Sequence, residues 1–222
     1  MARRKEHSHE QIREMAINEV ERWLEAEPLQ DLSLRKVAQR IGYAPSTLVK
    51  VFGSYPCLLL AVAGRSLEVL DNIFARHLAN SQSHNVQGSK PHLDASQAKA
   101  ALNAMAQSYG QFALSSPGRF SLVFELKLPA EAPLPSEHCA LIESLLHRPE
   151  SCLSAMFPSL GASQLRYQTR LLWAALHGLV ALSLQDKLFL LEHSLAELLT
   201  VQLGNQLHAI SVLDALHTEV KP

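Results

Sequence analysis

Apolar residues recur three and four positions apart along most of this 222-residue chain, and alternation at every second position is scarce. A period near 3.6 gathers apolar side chains on one stripe of a helix, whereas a half-buried strand needs a period of two. The chain is therefore expected to be all-α, with about nine helices. The first segment shows the pattern. Ile12, Ala16, Val20, Trp23 and Leu24 fall on one face, Ser8-His9-Glu10-Gln11 opens it as a capping box, and Pro28 ends it. Ser33 then caps a second helix, with Leu34, Val37, Ala38 and Ile41 at helical spacing. Gly42 suits the left-handed position that stops a helix. Ala44-Pro45 starts a third helix, since proline fits a first turn; it buries Leu48 and Phe52, with Val51 a further candidate. Gly53 stops it, and Ser54 caps a long fourth helix to about Leu78. Residues 80–93, "NSQSHNVQGSKPHL", are polar with Gly and Pro and read as a mobile loop. Further helices are expected near 94–115, 117–127, 136–156, 161–185 and 189–214. Pro129 to Ser136, with three prolines, is another connection.

Composition narrows the function classes. Apolar residues make up 47%, enough for a sizeable core, and the net charge of −1 means that any affinity for nucleic acid rests on a local patch. The three cysteines, Cys57, Cys139 and Cys152, match no zinc spacing, and the eleven histidines show no H-E-x-x-H arrangement. No metal and no cofactor are expected. No nucleophile elbow, P-loop or dinucleotide fingerprint occurs, so no catalytic residue is assigned and the chain reads as a non-enzyme. Basic Met1-Ala2-Arg3-Arg4-Lys5 leads into polar residues rather than a signal-peptide apolar run. No apolar run is long enough to span a bilayer. A reducing cytoplasm, with no membrane partner, is the expected location.

Two short helices joined by a Gly-containing turn form a helix-turn-helix, in which the second helix enters the major groove of DNA and the first crosses the backbone. Between Leu32 and Leu67 stand five basic residues, Arg35, Lys36, Arg40, Lys50 and Arg65, and no acid. A carboxylate beside phosphate is costly to desolvate, so an acid-free stretch fits contact with DNA. Ordinary helix packing under a solvated charged face produces the same pattern, and periodicity alone leaves both readings open.

The segment "LSLRKVAQRIGYAPSTLVKVFGSYPCLLLAV" resembles the DNA-binding region of TetR-family transcriptional regulators. The resemblance is carried by Leu32, Ser33, Val37, Ala38, Gly42, Thr47, Leu48, Phe52, Leu58 and Leu59. Trp173-Ala174-Ala175-Leu176-His177-Gly178-Leu179 resembles the W-x-x-x-H-G element found in the C-terminal domain of one subgroup of that family. The resemblance implies a three-helix helix-turn-helix DNA-binding domain over 1–62 and a larger helical ligand-binding and dimerisation domain over 63–222. It implies three partners: a double-stranded DNA operator, a small-molecule effector and a second copy of the chain. It places Arg35, Pro45, Ser46, Thr47 and Lys50 at the groove, with Arg35 near a base edge, and Ser33, Thr47 and Tyr55 at phosphates. Ser33 reads equally as a helix cap and Thr47 as a helix filler. Arg3, Arg4 and Lys5 are either an arm for the minor groove or a solvated tail. Three positions depart from the family. Val49 replaces its recognition-helix Tyr, Tyr55 followed by Pro56 replaces its Lys, and Ala44 replaces a Ser that would cap the helix.

In the remainder, Met105, Tyr109, Phe112, Phe120, Phe124, Met156, Phe157, Trp173 and His177 are core residues or the lining of an apolar ligand site. Of these Met105, Tyr109, Phe112, Phe124, Trp173 and His177 are the named pocket candidates. His177 lies one turn from Trp173 and needs a hydrogen-bond partner there, from the protein or from a ligand. The last two helices are the expected homodimer interface, with Leu191, Leu195, Leu198, Leu199 and Leu203 along one face. The reading reached is a repressor that binds a pseudo-palindromic operator as a homodimer and is released by a small apolar or amphipathic ligand through the long fourth helix. The alternative is a helical dimer with a degenerate DNA-reading head that acts through a protein partner.

Overall fold

The computed structural model describes residues 7–82, 93–126, 133–189 and 192–219, and among them the secondary structure is helical, without strands. The helices are α1 (His9–Ala26), α2 (Leu34–Arg40), α3 (Pro45–Phe52), α4 (Tyr55–Gln82), α5 (Ala95–Ser115), α6 (Pro117–Glu125), α7 (Ser136–Met156), α8 (Ala162–Leu184) and α9 (Leu195–Glu219). A single 3-10 turn, Leu29–Asp31, links α1 to α2.

The start signals act as their chemistry requires. The Ser8 hydroxyl accepts the Gln11 N–H while the Gln11 side chain accepts the Ser8 N–H, a complete capping box. The Ser33 hydroxyl accepts the Lys36 N–H at 3.3 Å, and the Ser54 hydroxyl accepts that of Cys57 at 3.3 Å. Three ends differ from the sequence expectation. Helix α4 continues through Asn80 and Ser81 to Gln82, so the expected loop starts later, and its residues 83–92 lie outside the described ones. Helix α9 starts at Leu195, not 189, because Phe189 has a left-handed backbone with φ of 52° and Ser194 supplies the cap. The Ser194 hydroxyl accepts the Glu197 N–H at 3.2 Å, and the Glu197 carboxylate accepts the Ser194 N–H at 2.7 Å. That helix also runs on past 214 to Glu219.

The chain forms two compact units, Met1–Leu67 with Ser116–His138, and Glu68–Ser115 with Cys139–Pro222. The first unit packs α1, α2, α3, the start of α4 and α6 around Val20, Val37, Ala38, Leu48, Leu58, Val62 and Leu122, all fully buried. Gly118 lets α6 lie against the end of α1, since a Cβ there would sit 2.5 Å from the Leu24 carbonyl oxygen. Arg119 on α6 pairs with Glu21 at 3.1 Å and donates to Ser66 at 3.1 Å. The second unit packs the rest of α4 with α5, α7, α8 and α9 around Leu70, Met105, Leu153, Leu172, Leu199 and Ile210. Leu199 and Leu203 of the expected interface stripe are core of this unit, and Leu195 and Leu199 approach Gly110 of α5. Leu191 lies outside the described residues. The outward face of α9 carries Val201, Val212 and Leu216 instead. No single described helix is long and apolar enough to cross a membrane.

Candidate DNA-reading head and effector cavity

Helices α2 and α3 are joined by a tight turn. Gly42 takes φ of +79°, a conformation that side chains strain. The turn is closed by the Tyr43 N–H donating to the Ala38 carbonyl at 2.9 Å. Pro45 occupies the first turn of α3, and Ala44 before it provides no side-chain cap. Leu48 and Phe52 face inward, while Pro45, Ser46, Val49 and Lys50 are exposed on the opposite side. Thr47 and Tyr55 are half-buried, with Tyr55 packed against the core and burial pushing its phenol above the usual value. Ser33 is the cap of α2. The structure thus brings Arg35, Pro45, Ser46 and Lys50 to an exposed surface and turns Tyr55 partly inward.

The basic window resolves into two groups. Arg40 meets Glu19 at 3.3 Å and Glu27 at 3.0 Å, and stacks 4.3 Å from the Trp23 ring. The Lys36 ammonium donates to the Asp31 carbonyl at 2.6 Å and sits 5.0 Å from the same ring. Arg65 is bound by Glu14 at 2.6 Å, Asn18 at 2.6 Å and Glu21 at 3.4 Å. Most of these acids lie on α1, outside the acid-free stretch of sequence. Arg35 and Lys50 are exposed and make no hydrogen bond or ion pair among the described residues. His7 Nδ1 lies 2.6 Å from the Tyr43 hydroxyl, fastening the start of the described chain to the turn.

The second unit holds a cavity of about 50 Å³ lined by Phe74, Leu102, Met105, Ala106, Tyr109, Leu145, Leu146, Pro149, Thr169, Leu172, Trp173 and Leu176. Met105, Tyr109 and Trp173 were expected there. Phe112 is buried but does not line it, and His177 stands behind it. Phe124 belongs to the first unit, where its ring lies 4.8 Å from that of Phe120; a bulky aromatic signals burial but not which core it joins. Met156 and Phe157 line a separate open groove with Lys99 and His208. The missed lining residues had a sequence signal. Leu102, Met105, Ala106 and Tyr109 form one helical stripe, and Thr169, Leu172, Trp173 and Leu176 form another.

The Tyr109 hydroxyl and His177 Nδ1 are 2.8 Å apart, and the Trp173 side chain also hydrogen-bonds Tyr109. Burial pushes the Tyr109 hydroxyl well above its usual range and His177 below its own. Both groups are therefore uncharged near neutral pH. Among the described residues no cluster of His, Cys, Asp or Glu is arranged to hold a metal ion.

Residues 102–205 match the model of the tetracyclin repressor-like C-terminal domain, a span that includes Trp173, His177 and Gly178. No curated protein matches the chain. Among solved structures, a Rhodococcus sp. RHA1 protein of unknown function is similar, with a TM-score of 0.70 at 18% identity over 94% of this chain and 98% of that one. A TetR-family transcriptional regulator from Streptomyces coelicolor is similar with a TM-score of 0.63 at 16% identity, over 95% of this chain and 85% of that one. At these identities the likeness is one of fold. Residues 102–205 are thus similar to a tetracyclin repressor-like C-terminal domain, and the chain shares the fold of a TetR-family regulator of known structure.

Proposed function

We propose that the protein is a TetR-family transcriptional repressor that binds a pseudo-palindromic operator as a homodimer and is released by a small apolar ligand in the second unit. The observation that carries the DNA reading is the pair Arg35 and Lys50. They are the two cations of the acid-free window without a hydrogen-bond or ion-pair partner among the described residues, whereas Lys36, Arg40 and Arg65 are held by the Asp31 carbonyl and by carboxylates of α1 and its cap. Arg35 is suited to a guanine edge, where a bidentate contact discriminates by about 1–3 kcal/mol. Val49, 44% exposed beside Lys50, offers an apolar contact for a thymine methyl rather than a phosphate anchor. The outward apolar residues of α8 and α9 support pairing of two copies, which would present two α3 helices to successive major-groove turns roughly 34–36 Å apart.

The test is fluorescence anisotropy on DNA upstream of the chain's own gene. Arg35→Ala with Lys50→Ala is expected to weaken binding by at least about tenfold. Lys36→Ala, whose ammonium is already held by Asp31, should leave it within about twofold. If the double variant binds as the parent does, the groove assignment is wrong. Binding by the parent that does not change with salt would favour action through a protein partner instead.

A further inference from the structure

The cavity of the second unit is small, about 50 Å³ against roughly 300–1,000 Å³ for sites that take drug-sized ligands. Its twelve lining residues include no charged side chain. The Thr169 hydroxyl donates to the Leu165 carbonyl at 2.8 Å, and Tyr109 is engaged with His177 and Trp173. A carboxylate or ammonium placed here would lose its hydration with no counter-ion to replace it. A ligand must therefore be neutral, and it must widen the space it enters.

One edge of the cavity is where α4 meets α7. Phe74 of α4 and Leu145, Leu146 and Pro149 of α7 line it. Asp71, one turn before Phe74, accepts two N–H bonds from Arg148 at 2.9 and 3.1 Å and the Ser144 hydroxyl at 3.2 Å. Arg148 adjoins Pro149 in the chain, and Ser144 adjoins Leu145. These three side chains clasp α4 to α7 along the cavity. Helix α7 is weak at this place, because Pro149 has no N–H to donate to the Leu145 carbonyl. Bending there opens the cavity, and the clasp opposes it.

We propose that the cavity takes an uncharged, mainly hydrocarbon ligand, and that its entry bends α7 at Pro149 against the Asp71–Arg148–Ser144 clasp, which thereby sets the ligand's affinity. This inference rests on the effector-responsive reading above. It adds the ligand's charge class and the contact that sets its affinity. In the closed form the ligand binds the fraction of molecules that are open, so loosening the clasp raises that fraction and tightens binding.

The experiment uses the full chain without DNA and two fluorescent probes on one ring skeleton, N-phenylnaphthylamine and its sulfonated counterpart anilinonaphthalene sulfonate. The neutral amine is expected to bind saturably, and the sulfonate at least about tenfold more weakly. Ala106→Leu, which fills the cavity, should abolish the saturable binding. Asp71→Asn and Arg148→Met should each tighten the amine severalfold, and the double variant no more than either, because all three break one clasp. Thermal melts establish that each variant is folded. Equal binding of both probes, or unchanged binding in Ala106→Leu, overturns the ligand class and site. Unchanged or weaker binding in folded Asp71→Asn, which retains the side-chain shape, overturns the clasp. DNA binding is measured on the same preparations. Normal DNA binding with failed probe behaviour overturns this inference alone, whereas the expected probe behaviour without DNA binding overturns the repressor function alone.

Discussion

Tyr109, Trp173 and His177 join α5 to α8 through side-chain hydrogen bonds in otherwise apolar surroundings. Desolvation holds His177 below the ordinary histidine value, so the fold favours the neutral ring, whose Nδ1 lies 2.8 Å from the Tyr109 hydroxyl. The unfolded chain takes up that proton at higher pH than the folded one. The stability this gives is fully present above about pH 6.5 and is lost as the pH falls toward the depressed folded value. Urea unfolding is therefore expected to show stability declining from about pH 7 to pH 5, less steeply in His177→Gln than in the parent. Equal slopes would mean that His177 titrates alike in both states. Sequence spacing located this residue and its need for a partner, because a histidine on an apolar helix must be satisfied. Charge was less legible. An acid-free window of sequence is not an acid-free region of space: α1 and its C-terminal cap bring Glu14, Glu19, Glu21 and Glu27 to two of the five cations, Arg40 and Arg65.

Among the elements, α3 is set by short-range rules: Gly42 before it, Pro45 in its first turn, Gly53 after it. These act over a few residues and were legible in full. Its weak point is Ala44, already extended with φ of −76° and ψ of 146° but unable to cap. Ala44→Ser should stabilise the protein by about 1 kcal/mol in urea unfolding; no gain would mean that another acceptor already serves those N–H groups. Helix α6 depends on a close approach that periodicity does not reveal. Gly118→Ala sets a Cβ against the rigid Leu24 backbone, whereas Gly110→Ala meets the movable end of the Leu199 side chain. The first should cost about 1–3 kcal/mol and more than the second. A smaller loss at Gly118 would show that α6 can shift without penalty. The start of α9 was misplaced because an apolar run beginning near Phe189 outweighed Ser194 and Glu197, whose capping pair decides the boundary.

In the whole molecule, the apolar residues left in solvent are the surface proposed for pairing with a second copy. On α9, Val201, Val212 and Leu216 are at least half exposed, and intervals of eleven and four residues keep them on one helical face. Tyr167, Leu171 and Leu182, at least 40% exposed, share a face of α8. Val201→Glu with Val212→Glu should convert the dimer to a folded monomer in sedimentation equilibrium and weaken operator binding, since each half-site then binds alone. A dimer that persists would place the interface elsewhere. Of the leucines that the sequence suggested for pairing, Leu199 and Leu203 are buried within the second unit, because periodicity alone cannot tell an intramolecular stripe from an intermolecular one. The proposed reading head offers DNA two free cations, Arg35 on α2 and Lys50 on α3. Its most direct measurement is the affinity of the purified protein for DNA upstream of its own gene and for unrelated DNA, each titrated across salt. The account predicts a steep loss of affinity with salt on both and a preference of about 10³ or more for the upstream site. Equal affinity for the two DNAs, or binding indifferent to salt, would contradict it.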